Sequence, residues 1–244
     1  MRVNRAFGID FYLGDKTELL TSILSNSMAS FSYVVTPNVN HVVQINHSPE
    51  LRAAYADASF RVCDSKVLQP ILSFFSVNLK EAIPGSDLTK DLFERANELK
   101  MRVTVIGSTC EEMEILGEKF PNIIIQHHSP PFGFIDSPRL VENCLDFISE
   151  KPADLIFFAV GCPRQEILAH LVFQKGGAVG VGLCVGASIL FLSGKVARAP
   201  VWLQNLKLEW LHRIMSEPRR LASRYIVDAY KLVPIILNEK RKRK

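Results

Sequence analysis

The sequence predicts an α/β protein: a mostly parallel sheet with helices on both faces, followed by a C-terminal helical appendage. Three observations predict it. Short runs rich in Val, Ile and Phe alternate with longer amphipathic runs, as expected of buried parallel strands and their helical crossovers. The alternation stops after Arg198-Ala199-Pro200, and beyond it apolar residues recur at helical spacing. The charge divides there too. Residues 195–244 hold 13 Lys+Arg against 4 Asp+Glu, a net of +9, whereas the first 194 hold 16 against 21, a net of −5. The chain thus reads as a core, 1–194, and a basic appendage, 195–244.

The elements follow in order. Tyr33–Thr36 is the first strand, and Pro37 ends its pairing so that Thr36-Pro37-Asn38-Val39-Asn40 turns away with its polar groups free. Pro49–Asp57 is helical. Phe60–Asp64 is a strand ending on a carboxylate, and Ser65–Phe75 and Asp87–Lys100 are helices. Arg102–Gly107 is a strand whose Gly107-Ser108-Thr109 turn opens the helix Cys110–Phe120. Ile123–Gln126 precedes the helix Pro138–Glu150. Asp154–Val160 ends in Gly161-Cys162-Pro163, a turn into the helix Arg164–Gln174. Gly176–Gly194 carries no charge over 19 residues, about the length of a spanning helix. Its glycines and β-branched residues make it a buried strand, Ala178–Val181, with a turn and the start of a helix. Pro200 suits a first helical turn, and Pro218 begins another helix that runs through apolar Tyr225–Leu237 to a basic end.

Composition excludes several classes. With 48% hydrophobic and 22% charged residues among 244, the chain is not disordered. Its five cysteines are scattered and form no CxxC pair, against a disulfide scaffold or zinc site and in keeping with a reducing compartment. The N-terminus meets Asp10 and Asp15 before any apolar run long enough for a signal peptide, so a cytosolic protein is expected. No HExxH and no Asp-x-Asp occurs, so no metal and no cofactor is expected. In the appendage Arg213, Arg219, Arg220, Arg224 and Lys231 interleave with Leu221, Tyr225, Ile226 and Tyr230. That pattern suits a helix lying on an anionic membrane surface, or one packed on the core with a solvated basic face. No nucleic-acid reading motif accompanies it, and nucleic acid is not the expected partner.

In open α/β sheets ligands collect at the carboxyl ends of the strands. There stand Thr36 and Asn38, the lone carboxylate Asp64, and Gln165-Glu166 after the Gly161 turn. Asp64 is placed for a general base or for a helix N-cap, and Asn38 for a ligand or a cap. The ordered set TPNVNH (Thr36–His41), Asp64-Ser65, PGSDL (Pro84–Leu88), VGCPRQE (Val160–Glu166), SGKVARAP (Ser193–Pro200) and LEWLHRIMSEPRRLASRY (Leu208–Tyr225) resembles the WecG/TagA/CpsF glycosyltransferases, glycosyltransferase family 26, over nearly the whole chain.

The resemblance implies a Rossmann-like core and a metal-independent, inverting transfer. A hexose or N-acetylhexosamine-type sugar would pass from a UDP-sugar donor to a polyprenyl-diphosphate-linked sugar acceptor, on the inner face of the cell membrane. It implies Asp64 as general base. Thr36, Asn38 and Gln165 would bind substrate, and Arg213, Arg220 and Arg224 would lie near the diphosphates. Homo-oligomerisation is left open. Three departures stand out: Ser65 where the family usually has Gly, Ala82 where an arginine is common, and Leu190 where a carboxylate is frequent. They motivate an alternative, a catalytically weakened member that binds lipid-linked saccharide or a partner enzyme.

Overall fold

The computed structural model describes residues 2–200, 202–203, 206 and 208–243. The N-terminus forms an antiparallel hairpin, β1 (Val3–Ala6) and β2 (Ile9–Tyr12). Helix α1 (Lys16–Ser25) then starts on a capping box, in which Asp15 accepts the Glu18 N–H and Glu18 reaches back to the Asp15 N–H. The alternation predicted from sequence follows. In chain order it runs β3 (Ser32–Val35), α2 (Val39–Ile45), α3 (Pro49–Asp57), β4 (Phe60–Arg61), α4 (Leu68–Phe74), α5 (Gly85–Leu99), β5 (Arg102–Ile106) and α6 (Cys110–Lys119). It continues with β6 (Ile124–His128), α7 (Pro138–Glu150), β7 (Leu155–Phe158), α8 (Arg164–Lys175), β8 (Val181–Cys184) and α9 (Ser188–Leu192). Two further helices close the chain, α10 (Glu209–Ser216) and α11 (Pro218–Lys242).

Six strands form one sheet in the order β4-β3-β8-β7-β5-β6, every pair parallel. All carboxyl ends therefore lie along one edge. Side chains alternate across the sheet with the strand period of two. In β7, Leu155 and Phe157 enter one apolar cluster while Ile156 and Phe158 enter the other, and all four are buried. Both faces are thus covered, by α2, α3, α7 and α8 on one side and by α1, α5, α6 and α9 on the other.

Local chemistry sets the helix starts. Ser48 caps α3 ahead of Pro49, and Thr109 with Glu112 forms a second capping box on α6. The uncharged run 176–194 divides into β8 and α9, and among the described residues no helix is long and apolar enough to cross a membrane. The last strand lies three residues later than the glycine spacing predicted, because Gly180 is the residue where the chain turns in. A Cβ there would stand 2.1 Å from the Ala153 carbonyl oxygen.

The hairpin, α1 and α2 are the elements not anticipated from sequence. Three of the four β1 residues are exposed, so the hairpin opens without the apolar run that marks the buried strands. The polar Asn38–His41 run looked like a loop, yet it is the first turn of α2. The appendage packs α11 against α2. Leu221 and Leu232 are buried there, and Asn40 Nδ2 donates to both Asp228 carboxylate oxygens at 3.0 Å. At the far end the Arg243 guanidinium donates to the carbonyls of Phe75 and Arg5.

Candidate active site

The loops after three neighbouring strands, β4, β3 and β8, open into a cleft of about 380 Å³ whose remaining wall is supplied by α10 and α11. Thr36, Asn38, Asp64, Arg213 and Arg224 all line it, with Ser188, Phe191, Glu209 and Trp210. Parallel strands deliver their loops to this one edge, and the docking of α10 and α11 over it brings Arg213 and Arg224 to residues more than 140 positions earlier in the sequence.

Asp64 sits three residues beyond the end of β4, half-buried, with its N–H on the Pro37 carbonyl. Its Oδ1 accepts the Gly85 N–H at 2.5 Å, the first residue of α5, so the positive end of a 15-residue helix faces the carboxylate. Burial pushes the Asp64 pKa up, and the Glu209 carboxylate adds to the rise. The Gly85 N–H, Arg213 and the Asn38 amide pull it down without cancelling the rise. The result is an aspartate more basic than usual, facing a cleft.

Asn38 fills both roles considered for it. Its Oδ1 caps α2 by accepting the His41 N–H, and its amide donates to Asp64. Thr36 donates its hydroxyl to the Cys184 carbonyl at 2.9 Å, tying the ends of β3 and β8 together under the cleft. Ser65, one of the family departures, accepts from the N–H groups of Val67 and Leu68, so the hydroxyl organises the turn into α4.

Arg213 stacks on the Phe191 ring at 5.2 Å. Arg224 stacks on Tyr225 at 5.5 Å, and its buried Nε has no hydrogen-bond partner among the described residues. An unmatched buried donor on a fixed cation is costly without an anion to meet it. The backbone of Arg220 belongs to α11; its side chain lies outside the described residues.

Gln165 does not line the cleft. It is buried behind the floor, where its Oε1 accepts the Gly186 N–H at 2.9 Å and its Nε2 donates to Glu166 Oε1 at 2.7 Å. It holds the Val185–Ser188 turn in place from behind.

Glu166, named from sequence at the same strand end but given no role there, is fully buried. Burial raises its pKa from 4.5 to about 7, only partly offset by hydrogen bonds from Gln165 and the Cys162 thiol. His41 Nδ1 stands 4.0 Å from it and 2.7 Å from the Tyr55 hydroxyl, and burial with the nearby Arg224 pushes the His41 pKa from 6.5 down to about 4. Ligand-type atoms of His41, Cys162 and Glu166 lie within 4.8 Å of one another. The thiol and imidazole are engaged in hydrogen bonds, and Arg224 faces them, so the trio reads as a neutral hydrogen-bonded set rather than a cation cage.

This trio predicts a pH signature. An acid with a raised folded-state pKa stabilises the fold in its protonated form. That contribution is lost as pH rises from 4.5 through about 7. His41 acts oppositely, its contribution being lost as pH falls from 6.5 through about 4, so the two offset one another over most of the range. Glu166→Gln removes the falling component. Its stability relative to the parent, read by urea unfolding, should rise by about 3 kcal/mol between the two Glu166 pKa values. A difference that does not change with pH would contradict the neutral-pair assignment.

A model of the Glycosyl transferase WecG/TagA/CpsF family matches residues 5–244. The chain is 28% identical over 235 residues to an N-acetylglucosaminyldiphosphoundecaprenol N-acetyl-beta-D-mannosaminyltransferase of Bacillus spizizenii, covering 91% of this chain and 87% of that protein. A protein of the same name from Bacillus subtilis is 32% identical over 173 residues, 68% of this chain and 63% of its own length.

Proposed function

Because the chain belongs to the WecG/TagA/CpsF family of glycosyl transferases, we propose that it transfers a hexose or N-acetylhexosamine-type sugar from a UDP-sugar to a polyprenyl-diphosphate-linked saccharide. The observation that carries the reading is the placement of Asp64: a carboxylate with a raised pKa, in a cleft whose opposite wall brings Arg213 and Arg224. The acceptor hydroxyl attacks the anomeric carbon and its proton passes to Asp64. The bond from that carbon to the diphosphate oxygen breaks on the opposite face, inverting the configuration. UDP leaves with the electron pair, and the growing negative charge is met by the guanidinium groups rather than by a metal.

The relatives' names describe transfer to a lipid-diphosphate sugar, which supports the same acceptor class here. The division into a core, 1–194, and an appendage, 195–244, belongs to this proposal, with the appendage completing the site and touching the cytoplasmic face of the membrane. Helix α11 supports that role. Its inner side packs through Leu221, Asp228 and Leu232, while Ile226, Tyr230, Val233 and Leu237 form an exposed apolar stripe at helical spacing, Tyr230 being 81% exposed.

Incubating the full chain with UDP-sugars and a short-chain prenyl-diphosphate N-acetylglucosamine, with and without a chelator, tests the reading. Release of UDP with formation of a disaccharide lipid, unaffected by the chelator, is the expected result. Acceptor binding with no turnover on any UDP-sugar would refute the transferase assignment and favour a non-catalytic lipid-saccharide binder.

A further inference from the structure

Among the cleft residues that the transfer step as described leaves without a task are Glu209 and Trp210. Both lie on α10 beside Arg213. At about 100° per residue, positions 209, 213 and 210 fall within one arc of about 100°, while Leu211 and Met215 lie about 200° and 240° from Glu209. The helix therefore presents a carboxylate, a guanidinium and an indole to the cleft, and turns Leu211 and Met215 outward, where both are exposed.

Each inward group is held. Arg198 Nη2 lies 3.7 Å from Glu209 Oε1, and Nη1 of the same guanidinium contacts Asp87 on α5 at 2.5 Å, so the Glu209 carboxylate is tethered to the core. The Trp210 ring stands 6.1 Å from the Tyr225 ring, tilted by 44°, and remains 37% exposed at the cleft.

We propose that Trp210 and Glu209 form the subsite for the acceptor sugar. The apolar C–H face of a pyranose rests on the indole, one ring hydroxyl donates to Glu209, and a neighbouring hydroxyl faces Asp64. This rests on the transferase reading and adds the seat of one substrate to it. A pyranose has one apolar face and a rim of donors, and a flat aromatic beside a fixed carboxylate matches both. The same carboxylate would oppose the charge of either diphosphate and so favours a sugar ring beside it, and the hydroxyl that must face Asp64 makes that ring the acceptor's. Its effect on Asp64 agrees with this placement: Glu209 adds to the rise that burial gives the Asp64 pKa, against Gly85, Arg213 and Asn38.

The test uses the full chain carrying W202F, which leaves Trp210 as the single tryptophan of the two. Its fluorescence is followed, with no donor present, against three probes: short-chain prenyl-diphosphate N-acetylglucosamine, the same prenyl diphosphate without sugar, and phosphatidylglycerol vesicles. The response should require the sugar. Read by titration calorimetry, since these variants lack the reporter, Trp210→Ala should weaken binding of the sugar-bearing probe about tenfold, with Trp210→Phe largely preserving it. Glu209→Gln, which keeps the shape should Trp210→Ala fail to fold, should raise the acceptor KM and leave the donor KM alone. It should also move the acid limb of the pH–rate profile to lower pH, because a negative neighbour of Asp64 is gone. A response of equal size to sugar-free prenyl diphosphate or to vesicles would overturn the subsite. So would parental affinity in Trp210→Ala and Glu209→Gln, and in that case the transfer reading stands. A parent that binds none of the sugar-bearing probe overturns both.

Discussion

Asp64→Asn should lower kcat by roughly a hundred- to ten-thousandfold, the range a positioned general base contributes, while KM for both substrates stays near the parental value. The carboxamide oxygen can still accept the Gly85 N–H, so the α5 terminus stays satisfied and the variant should fold. What it lacks is an oxygen able to take up a proton. Circular dichroism and thermal unfolding check the fold, and UDP release checks the rate. The parent's activity should also fall on acidification through a pKa above the ordinary aspartate value, since burial and then Glu209 raise the Asp64 pKa. The asparagine variant should lose that limb. Parental turnover in Asp64→Asn would remove the base assignment altogether.

Arg213→Ala and Arg224→Ala should each reduce kcat about a hundred- to a thousandfold, the cost of deleting one fixed donor aimed at developing charge. The two losses should fall short of multiplying in the double variant, because both groups answer one leaving diphosphate. Lysine should restore little. The Arg213 guanidinium lies over the Phe191 ring and that of Arg224 over the Tyr225 ring, and an ammonium group does not offer a forked pair of donors. Arg224→Ala should cost the fold little, since its Nε is buried without a hydrogen-bond partner among the described residues. Parental kcat in both alanine variants would place the charge stabilisation elsewhere.

Much of the fold was legible because it rests on short-range patterns. Pro49–Asp57 and Pro138–Glu150 were located to the residue, each opened by a proline in the first turn. The strands were visible as apolar runs because both faces of the sheet are covered. The hairpin gave no such signal, and α2 was hidden because its first turn is polar, with Asn38, Asn40 and His41 each engaged by partners far along the chain or across the turn. At the site, Asp64, Thr36 and Asn38 were legible from their positions at strand ends. Gln165 had the same signal, yet its amide turns inward to Gly186 and Glu166. Which way a side chain points is settled by packing around it. Glu209 and Trp210 stood in a quoted motif next to Arg213, and only the helix wheel read against a solved cleft separates them from Leu211.

By itself the amino-acid order determined the α/β class, the basic tail, the family and the lone aspartate after the second strand of the main sheet. These depend on period, composition and motif spacing, all of which survive in one dimension. Tertiary structure alone decided that β4, β3 and β8 are neighbours, that α10 and α11 wall the cleft they open into, and that the Glu209 carboxylate stands near enough to Asp64 to add to the rise in its pKa. Strand order and helix docking follow from which apolar faces fit together across long separations, and the basicity of a buried carboxylate follows from the charges and amides that this docking brings around it.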